Sequence, residues 1–263
     1  MTSVDYASET VMITGASSGL GVEFAHQLAA KGADLVLVAR RQDRLEKVAK
    51  DVRDRHGVTV TVIAKDLSKP GIAGEIAWEL SQRQVTVTSL INNAGFANYK
   101  PFTEIPTDRL RSEIAVNIGA LVELTHTFLP KFEERGSGFI INISSIAGFQ
   151  PSPGMVVYGA SKAFVLSFTE GLRSERKDKG VRFLAICPGP TETEFFTVAG
   201  SDKADGGLKR MESAEVVSIG LDTLDRKTPP PSVVTGLQNK LLTSVSQRMP
   251  RRLVASVLGK MMG

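Results

Sequence analysis

The 263-residue sequence has a single cysteine, Cys187, and three scattered histidines. One cysteine cannot form an intramolecular disulfide and excludes a cysteine-rich metal centre. No metal-ligand spacing joins the histidines, so we expect no metal site. The sequence also has no run of 18 apolar residues, which argues against a membrane-spanning helix.

The first ten residues contain two acidic side chains and no basic ones, unlike a secretory signal. Together with the single cysteine, this leads us to expect a cytoplasmic protein. Apolar residues make up 42% and charged residues 23% of the chain, which is typical of a globular protein with a sizeable core. The length fits one large α/β domain, or two small domains as the alternative.

Strand-like and helix-like stretches alternate over residues 10–236. The strand-like runs are mostly continuously apolar, as in strands buried on both faces of a parallel sheet. We therefore predict a doubly wound α/β fold with a seven-stranded parallel sheet. Predicted strands cover residues 11–14, 35–39, 58–63, 89–92, 139–143, 183–186 and 233–235, and predicted helices cover 21–31, 41–56, 72–83, 108–134, 157–178 and 214–226. Residues 194–211, rich in Gly, Ser, Asp and Lys, are predicted to form a loop or flap.

A glycine-rich loop, TGASSGLG at residues 14–21, follows the first predicted strand and opens the first predicted helix. Glycines let the backbone approach a pyrophosphate, and the free N–H groups of a helix N-terminus attract negative charge. This context predicts a dinucleotide-binding loop, with an unliganded strand–helix turn as the alternative. The predicted contacts are Gly15, Ser17, Ser18, Gly19, Leu20 and Gly21.

The end of the second predicted strand reads Ala39-Arg40-Arg41. At this place an acidic residue binds the ribose 2′-hydroxyl of NAD, whereas a basic residue accommodates the 2′-phosphate of NADP. The acidic position is held by Ala39, and guanidinium groups bind phosphate well. We expect NADP(H) as the cofactor, bound by Arg40 and Arg41; the alternative is that both are solvated residues starting the next helix.

Tyr158 and Lys162 are four residues apart and therefore share a helix face. A nearby ammonium lowers the pKa of a phenol and makes it a usable acid/base. Ser145, at the end of the fifth predicted strand, can hydrogen-bond a substrate carbonyl, with Ser144 as the alternative. Asn117 is a further candidate, because an asparagine is disfavoured inside a predicted helix.

In their order and spacing these motifs resemble the short-chain dehydrogenase/reductase family, in its compact single-domain branch. The resemblance covers roughly residues 10–236 and includes Asp66-Leu67, NNAG at 92–95 and PGPTET at 188–193. It implies a Rossmann-type fold and an NADP(H)-dependent oxidoreductase. Such an enzyme transfers a hydride between nicotinamide and a carbonyl or secondary alcohol, for example a ketone or 3-oxoacyl compound.

The resemblance also implies roles for individual residues. Tyr158 is expected to exchange a proton with the substrate oxygen, and Ser145 to polarise the carbonyl. Lys162 is expected to lower the pKa of Tyr158 and to bind the nicotinamide ribose, while Asn117 holds a water in a proton relay. The remaining expected cofactor contacts are Asp66 and Leu67 at the adenine, Asn93, Ala94 and Gly95 along the trough, and Pro188, Gly189, Thr191 and Thr193 at the carboxamide.

Other functions remain open at this point: a non-catalytic NADP-binding sensor, and an epimerase or dehydratase of the extended branch. Sensors of this fold usually lack the Tyr/Lys pair, and the extended branch favours TGxxGxxG, so both fit less well. Phe195 and Phe196 either wall an apolar substrate pocket or simply pack. By analogy with the family we expect a homodimer or homotetramer formed through the helices near 108–134 and 157–178.

Charge is unevenly distributed, because no acidic residue follows Asp225. Seven Lys and Arg side chains do follow it, which leaves the first 225 residues with a net charge of −3 within an overall +4. The basic cluster has no interleaved aromatic residues, so the charge does not indicate nucleic-acid binding.

The C-terminal residues 237–263 are predicted to form a basic amphipathic tail after an oxidoreductase domain of residues 1–236. Apolar residues recur at helical spacing, and Pro250 divides the stretch into two predicted helices. The tail either packs on the body, covers the substrate mouth or joins subunits, or it contacts an anionic membrane surface. Membrane contact suits a peripheral location and a lipophilic substrate.

Overall fold

In the described part of the chain, seven parallel strands form one sheet. The computed structural model describes residues 3–262, with side chains throughout except at residues 202–203 and 257–262. The strands are β1 Thr10–Thr14, β2 Asp34–Ala39, β3 Val60–Ala64, β4 Ser89–Asn92, β5 Phe139–Ile143, β6 Arg182–Cys187 and β7 Ser232–Val234. Their order across the sheet is β3-β2-β1-β4-β5-β6-β7.

Helices cover both faces of the sheet, which explains why the strands are continuously apolar. The helices are α1 Gly19–Ala30, α2 Gln42–His56, α3 Ile72–Gln82, α4 Thr107–Ile114, α5 Leu121–Arg135, α6 Val156–Glu175, α7 Phe195–Ala199, α8 Ser213–Leu224, α9 Leu237–Arg248 and α10 Arg251–Met262. Along β1, Val11 and Ile13 pack with α1, α2 and α8, whereas Met12 packs with α3 and α5 on the opposite face. The predicted doubly wound seven-stranded fold is confirmed.

The strand order reverses between β1 and β4, which are hydrogen-bonded neighbours separated in sequence by β2 and β3. Crossovers leave in opposite directions from such a pair and open a crevice at the carboxyl ends of the strands. The glycine-rich loop after β1 and the NNAG segment after β4 therefore meet at this crevice.

The predicted single helix over 108–134 is wrong in one respect. A π-helical turn, Ala115–Ala120, separates α4 from α5. Such a turn accommodates one extra residue and is frequent at functional sites. Asn117 lies in it, and its side chain hydrogen-bonds the loop after β4. The predicted flap also differs from a pure loop, because α7 lies within residues 194–211.

Two helices, α9 and α10, form the tail on either side of Pro250, as the apolar spacing predicts. The side chain of Asn239 is buried against the loop after β6: a Cβ added at Gly189 would lie 2.3 Å from Asn239 Nδ2. In the described range no helix combines the length and apolarity that crossing a bilayer requires. The predicted apolar positions Leu258, Met261 and Met262 lie outside the described side chains.

Candidate active site

A cavity of about 720 Å³ lies at the carboxyl ends of the strands. It is bounded by the glycine-rich loop, the segments after β4 to β6, α7 and the tail helices. All of the predicted catalytic and cofactor-contacting residues line it except Gly21 and Asn117. The topology thus brings together residues as distant in sequence as Gly15 and Thr193.

The glycine-rich loop is shaped by close backbone packing. A Cβ at Gly21 would lie 2.4 Å from the Gly15 carbonyl oxygen, so this glycine lies behind the loop and not in the cavity. Asn93 Nδ2 donates to the Thr14 carbonyl oxygen at 2.8 Å and ties the loop to the NNAG segment. The Ser18 side chain does not cap α1, which leaves the first N–H groups of the helix without a side-chain acceptor.

Arg41 lies over the glycine-rich loop. Its guanidinium donates to Ser17 Oγ at 3.1 and 3.3 Å and to Ser18 Oγ at 3.1 Å. It also pairs with Glu194 at 3.0 Å, and Arg44 binds the same carboxylate. The guanidinium and the two hydroxyls form a cluster rich in donors, which is chemistry that suits a phosphate.

Arg40 and Asp66 line the cavity near Arg41. Burial alone would raise the pKa of Asp66, but hydrogen bonds from Ser68 and the charge of Arg40 outweigh burial and lower it. Ser68 N and Oγ donate to the same oxygen, Asp66 Oδ1, at 3.0 and 2.9 Å. Because the carboxylate is ionised near neutrality, Asp66 can only accept hydrogen bonds, as an adenine amino group requires.

Tyr158, Ser145 and Lys162 converge beside the sheet. The Ser145 hydroxyl is close enough to the Tyr158 phenol to lower its pKa, and Lys162 Nζ lies 5.5 Å from the centre of the Tyr158 ring. Burial raises the pKa of Tyr158 to about 12, and it lowers the pKa of Lys162 to about 8. Tyr158 is therefore protonated at neutral pH, and the expected lowering of its pKa by Lys162 is not found because burial dominates.

The two adjacent serines have different surroundings. Ser144 is buried, and its hydroxyl donates to the Lys162 carbonyl oxygen at 2.7 Å. Both serines border the cavity, but Ser145 is more exposed and lies beside Tyr158. The bond to the Lys162 carbonyl oxygen favours Ser145 over Ser144 as the predicted substrate-binding serine.

Asn117 is 1% exposed and lies beneath the loop after β4. Its Nδ2 donates to the Phe96 carbonyl oxygen at 2.9 Å and to Ser161 Oγ at 3.1 Å, while its Oδ1 accepts from Phe96 N at 3.1 Å. Lys162 Nζ donates to the Ile143 carbonyl oxygen at 2.8 Å. A Cβ at Gly95 would lie 3.2 Å from Asn117 Oδ1 and 3.3 Å from Lys162 Nζ, so these two side chains meet under this glycine.

The wall beside the predicted catalytic residues is apolar. The Phe195 ring lies 5.2 Å from the Tyr158 ring, and both Phe195 and Phe196 line the cavity. The tail contributes Leu242, Val245, Met249 and Val254 to the lining. The tail thus packs on the body and forms part of the cavity wall, which is one of the placements considered from the sequence.

Sequence reasoning missed one polar cluster at the cavity rim, formed by Asn98, Arg109 and Glu113. Arg109 lines the cavity, and Glu113 is 1% exposed behind it. One signal was available: Glu113 precedes Asn117 by four residues, which places a carboxyl on the inward face of the helix.

Comparison with known proteins identifies the family. The family model for short chain dehydrogenase matches residues 9–204. A sulfoacetaldehyde reductase from Chromohalobacter salexigens is 41% identical over 201 residues, which cover 75% of this chain and 78% of the relative. The very-long-chain 3-oxoacyl-CoA reductase of Mus musculus is 29% identical over 255 residues, or 95% of this chain and 78% of the relative.

A solved structure is also similar: a short-chain dehydrogenase from Sphingobium yanoikuyae in complex with NADPH. It superposes with a TM-score of 0.79 at 34% identity and covers 92% of this chain and 96% of its own. Fold, cavity and relatives together define an oxidoreductase of the nicotinamide-dependent class. The chain belongs to the short-chain dehydrogenase/reductase family.

Proposed function

We propose that this protein is an NADP(H)-dependent carbonyl reductase that also oxidises the corresponding secondary alcohols. The observation that carries this proposal is that the Tyr158 phenol lies beside Ser145 and Lys162 in a large cavity. When bound, the nicotinamide supplies the hydride. The chain's own residues handle the proton and orient the substrate.

Tyr158 acts as the general acid in reduction. Its raised pKa keeps the phenol protonated at neutral pH, ready to give its proton to the substrate oxygen. Ser145 donates a hydrogen bond to the same oxygen as negative charge develops on it. Lys162, held by the Ile143 carbonyl, favours the phenolate that remains, and Asn117 shapes the path by which a water returns the proton.

The donor-rich end of the cavity fits NADP(H). Ser17, Ser18 and the α1 N-terminus would hold the pyrophosphate, and Arg40 and Arg41 the 2′-phosphate. Asp66 and Leu67 would contact the adenine, and Asn93, Ala94 and Gly95 the trough. Pro188, Gly189, Thr191 and Thr193, also in the lining, would hold the carboxamide end.

The substrate class follows from the apolar wall and from the relatives. Phe195, Met155 and the tail side chains favour a carbonyl compound with an apolar portion. The named relatives act on sulfoacetaldehyde and on very-long-chain 3-oxoacyl-CoA, which supports a reductase but spans very different chain lengths.

A panel of aldehydes, ketones and 3-oxoacyl thioesters, tested with NADPH and with NADH, examines this function. We expect NADPH oxidation with at least one carbonyl compound and a clear preference for NADPH. Stoichiometric NADPH binding without turnover across the whole panel would favour a dinucleotide sensor instead.

The exposed face of α9 supports a peripheral contact with anionic lipid. Leu237 and Leu241 are 84% and 68% exposed, while the buried face carries the polar Asn239 and Thr243. This inverts the usual amphipathic pattern of a surface helix. Basic side chains and the absence of acids after Asp225 match a negatively charged surface.

Co-sedimentation with vesicles tests the contact. We expect full-length protein to bind phosphatidylserine-containing vesicles more than neutral ones, and Leu241→Asp to reduce binding. Gln238→Asp adds the same charge to an exposed polar position of α9 and serves as the control. Equal sedimentation with both vesicle types would contradict the proposal.

Exposed apolar side chains on α4 and α6 support self-association. Phe164 stacks on Phe168 with ring centres 5.7 Å apart and is 38% exposed, and Ile114 is exposed on α4. We propose a homodimer or homotetramer that covers this surface. Light scattering should give a multiple of 28.3 kDa, and Phe164→Asp should shift the mass downward.

A further inference from the structure

Several charged side chains that line the cavity are paired with a residue of opposite charge. Glu194 is paired with Arg41 and Arg44, and Asp205 with Arg210. Two arginines of the lining, Arg40 and Arg109, have no carboxylate partner among the described residues. Arg40 follows β2 and is assigned above to the cofactor. The function proposed above leaves Arg109 without a ligand.

Arg109 lies on the opposite side of the β1–β4 crevice from Arg40. It belongs to α4, which follows β4, on the half of the sheet that also carries Ser145. Its guanidinium carbon lies 5.0 Å from the centre of the Phe96 ring. Phe96 directly follows Gly95, the residue that covers Lys162. Arg109 is therefore at the rim of the cavity, on the β4 side of the crevice.

Asn98 and Glu113 hold the side chain of Arg109 in position. Asn98 Oδ1 accepts from Arg109 Nε at 3.2 Å, and Asn98 Nδ2 donates to Glu113 Oε2. Arg109 and Glu113 are four residues apart on α4, so the Asn98 amide bridges two neighbouring positions of one helix face. Glu113 is 1% exposed, and its second oxygen has no partner in the described part of the chain.

This support leaves the two terminal nitrogens of Arg109 free. The Nε is used by Asn98, and no described hydrogen bond involves Nη1 or Nη2. The planar fork of a guanidinium matches a carboxylate or sulfonate, with two parallel hydrogen bonds. The buried Glu113 carboxyl orients the Asn98 amide, and this amide orients Arg109 at the cavity rim. Binding groups in proteins are commonly held in position by such supporting hydrogen bonds.

We propose that Arg109 is the anion-binding subsite of the substrate pocket, and that the preferred substrates are carbonyl compounds bearing a carboxylate or sulfonate. That such substrates are reduced rests on the proposed carbonyl reductase function. Binding of the anion by Arg109 does not depend on that function. Asn98 is a positioning residue that acts through Arg109. The apolar wall then contacts the carbon skeleton between the carbonyl and the anion.

A matched pair of aldehydes tests the proposal: succinic semialdehyde carries a carboxylate, and butanal has the same chain length without it. We expect wild-type protein to prefer succinic semialdehyde in kcat/KM. Arg109→Gln should reduce that preference by about tenfold or more, mainly through KM, and Arg109→Lys should retain part of it. Arg111→Gln, two residues along on the exposed surface of α4, should leave the preference unchanged.

Binding without turnover provides an independent readout. Succinate titrated into the protein with NADP⁺ should bind about tenfold more weakly to Arg109→Gln than to wild type or Arg111→Gln. Raising the ionic strength should weaken succinate binding, because salt screens an exposed charge pair. Asn98→Ala should weaken succinate binding less than Arg109→Gln does.

Equal succinate affinity in wild type and Arg109→Gln would overturn the subsite, whatever the enzyme reduces. An equal loss of both aldehydes in Arg109→Gln would overturn it as well, since a structural defect does not discriminate by charge. Absence of any aldehyde reduction alongside Arg109-dependent succinate binding would contradict the carbonyl reductase and leave the subsite standing.

Discussion

The two halves of the cavity are built differently. In the half formed around β1 to β3, polar side chains are fixed by hydrogen bonds: Asn93, which follows β4, to the Thr14 backbone, Arg41 to Ser17, and Asp66 to Ser68. In the substrate half, the wall combines apolar side chains from distant segments, such as Phe195 and Met249.

The difference teaches where each property resides. A dinucleotide has fixed phosphates, riboses and bases, so its half of the cavity is built on strand ends and tight turns. In the proposed function, the α7 and tail helices, where burial is incomplete and side chains are mostly apolar, contact the carbon skeleton of the substrate, and Arg109 on α4 binds its anionic group. Chemistry occurs at the boundary, where Tyr158 lies between Ser145 and Phe195.

The largest effect should come from Tyr158→Phe, which removes the proposed acid at this boundary. Turnover should fall by about a thousandfold, because positioned acid/base groups contribute rate factors of this order. NADPH affinity should stay close to wild type, since the cofactor half is untouched. Stopped-flow turnover and NADPH fluorescence titration measure the two quantities separately.

Tyr99→Phe is a matched control for this change, because Tyr99 belongs to the same buried cluster without lining the cavity. Its turnover should remain near wild type. Substantial turnover in Tyr158→Phe would show that the boundary is not where the proton is transferred.

Ser145→Ala should have the next largest effect, with about a hundredfold lower turnover from loss of a donor to the substrate oxygen. It should also move the pH profile. The nearby Ser145 hydroxyl lowers the pKa of Tyr158, whereas burial and the charge of Glu113 raise it. Without Ser145 that pKa rises further.

Alcohol oxidation requires the phenolate, so its rate increases with pH and the rise should shift to higher pH in Ser145→Ala. Burial lowers the pKa of Lys162 to about 8, so Lys162 loses its charge within the pH range in which the oxidation rate rises. This loss affects wild type and Ser145→Ala equally. Ser144→Ala, next to it but turned to the Lys162 carbonyl, should not shift the rise. An unshifted profile in Ser145→Ala would contradict the assigned effect of Ser145 on the Tyr158 pKa.

Arg40→Ala should affect the cofactor half alone, raising KM for NADPH by about tenfold while KM for NADH changes little. Arg44→Ala is the control, because Arg44 is absent from the cavity lining and pairs with Glu194. Steady-state kinetics with NADPH and with NADH measures KM for each cofactor. A parallel rise in both constants would point to a structural role for Arg40.

The smallest effect is expected for Glu194→Gln. Its carboxylate competes with a cofactor phosphate for Arg41, so its removal should lower KM for NADPH by about twofold, within the range of an exposed ion pair. Asp205→Asn, another lining carboxylate paired with an arginine at a distance from Arg41, provides the comparison. An increase in KM would indicate that Glu194 holds Arg41 in its binding position.

Much of the fold and of the cofactor half was predictable from the sequence, because the signals are local. Continuous apolar strands, the loop at residues 14–21 and the Tyr158–Lys162 spacing each report directly on backbone geometry. The side chains predicted from them meet at one crevice because parallel strands end at the same edge of a sheet.

The remainder depends on long-range packing. The π-helical turn at Asn117 arises from hydrogen bonds to Phe96, which lies 21 residues earlier in the chain. The Asn98 bridge between Arg109 and Glu113 likewise joins a loop to a helix. The tail repeats apolar residues at helical spacing, yet only contacts such as Asn239 with the loop after β6 place polar residues on its buried face.

Transfer of deuterium tests the central claim most directly. Wild-type protein, given NADPH deuterated at the transferable C4 position and a carbonyl substrate, should yield an alcohol with one deuterium on the former carbonyl carbon, detected by mass spectrometry. Tyr158→Phe should bind the same cofactor and form almost none of this product. Equal deuterated product from both proteins, or cofactor oxidation without deuterium in the alcohol, would contradict the account.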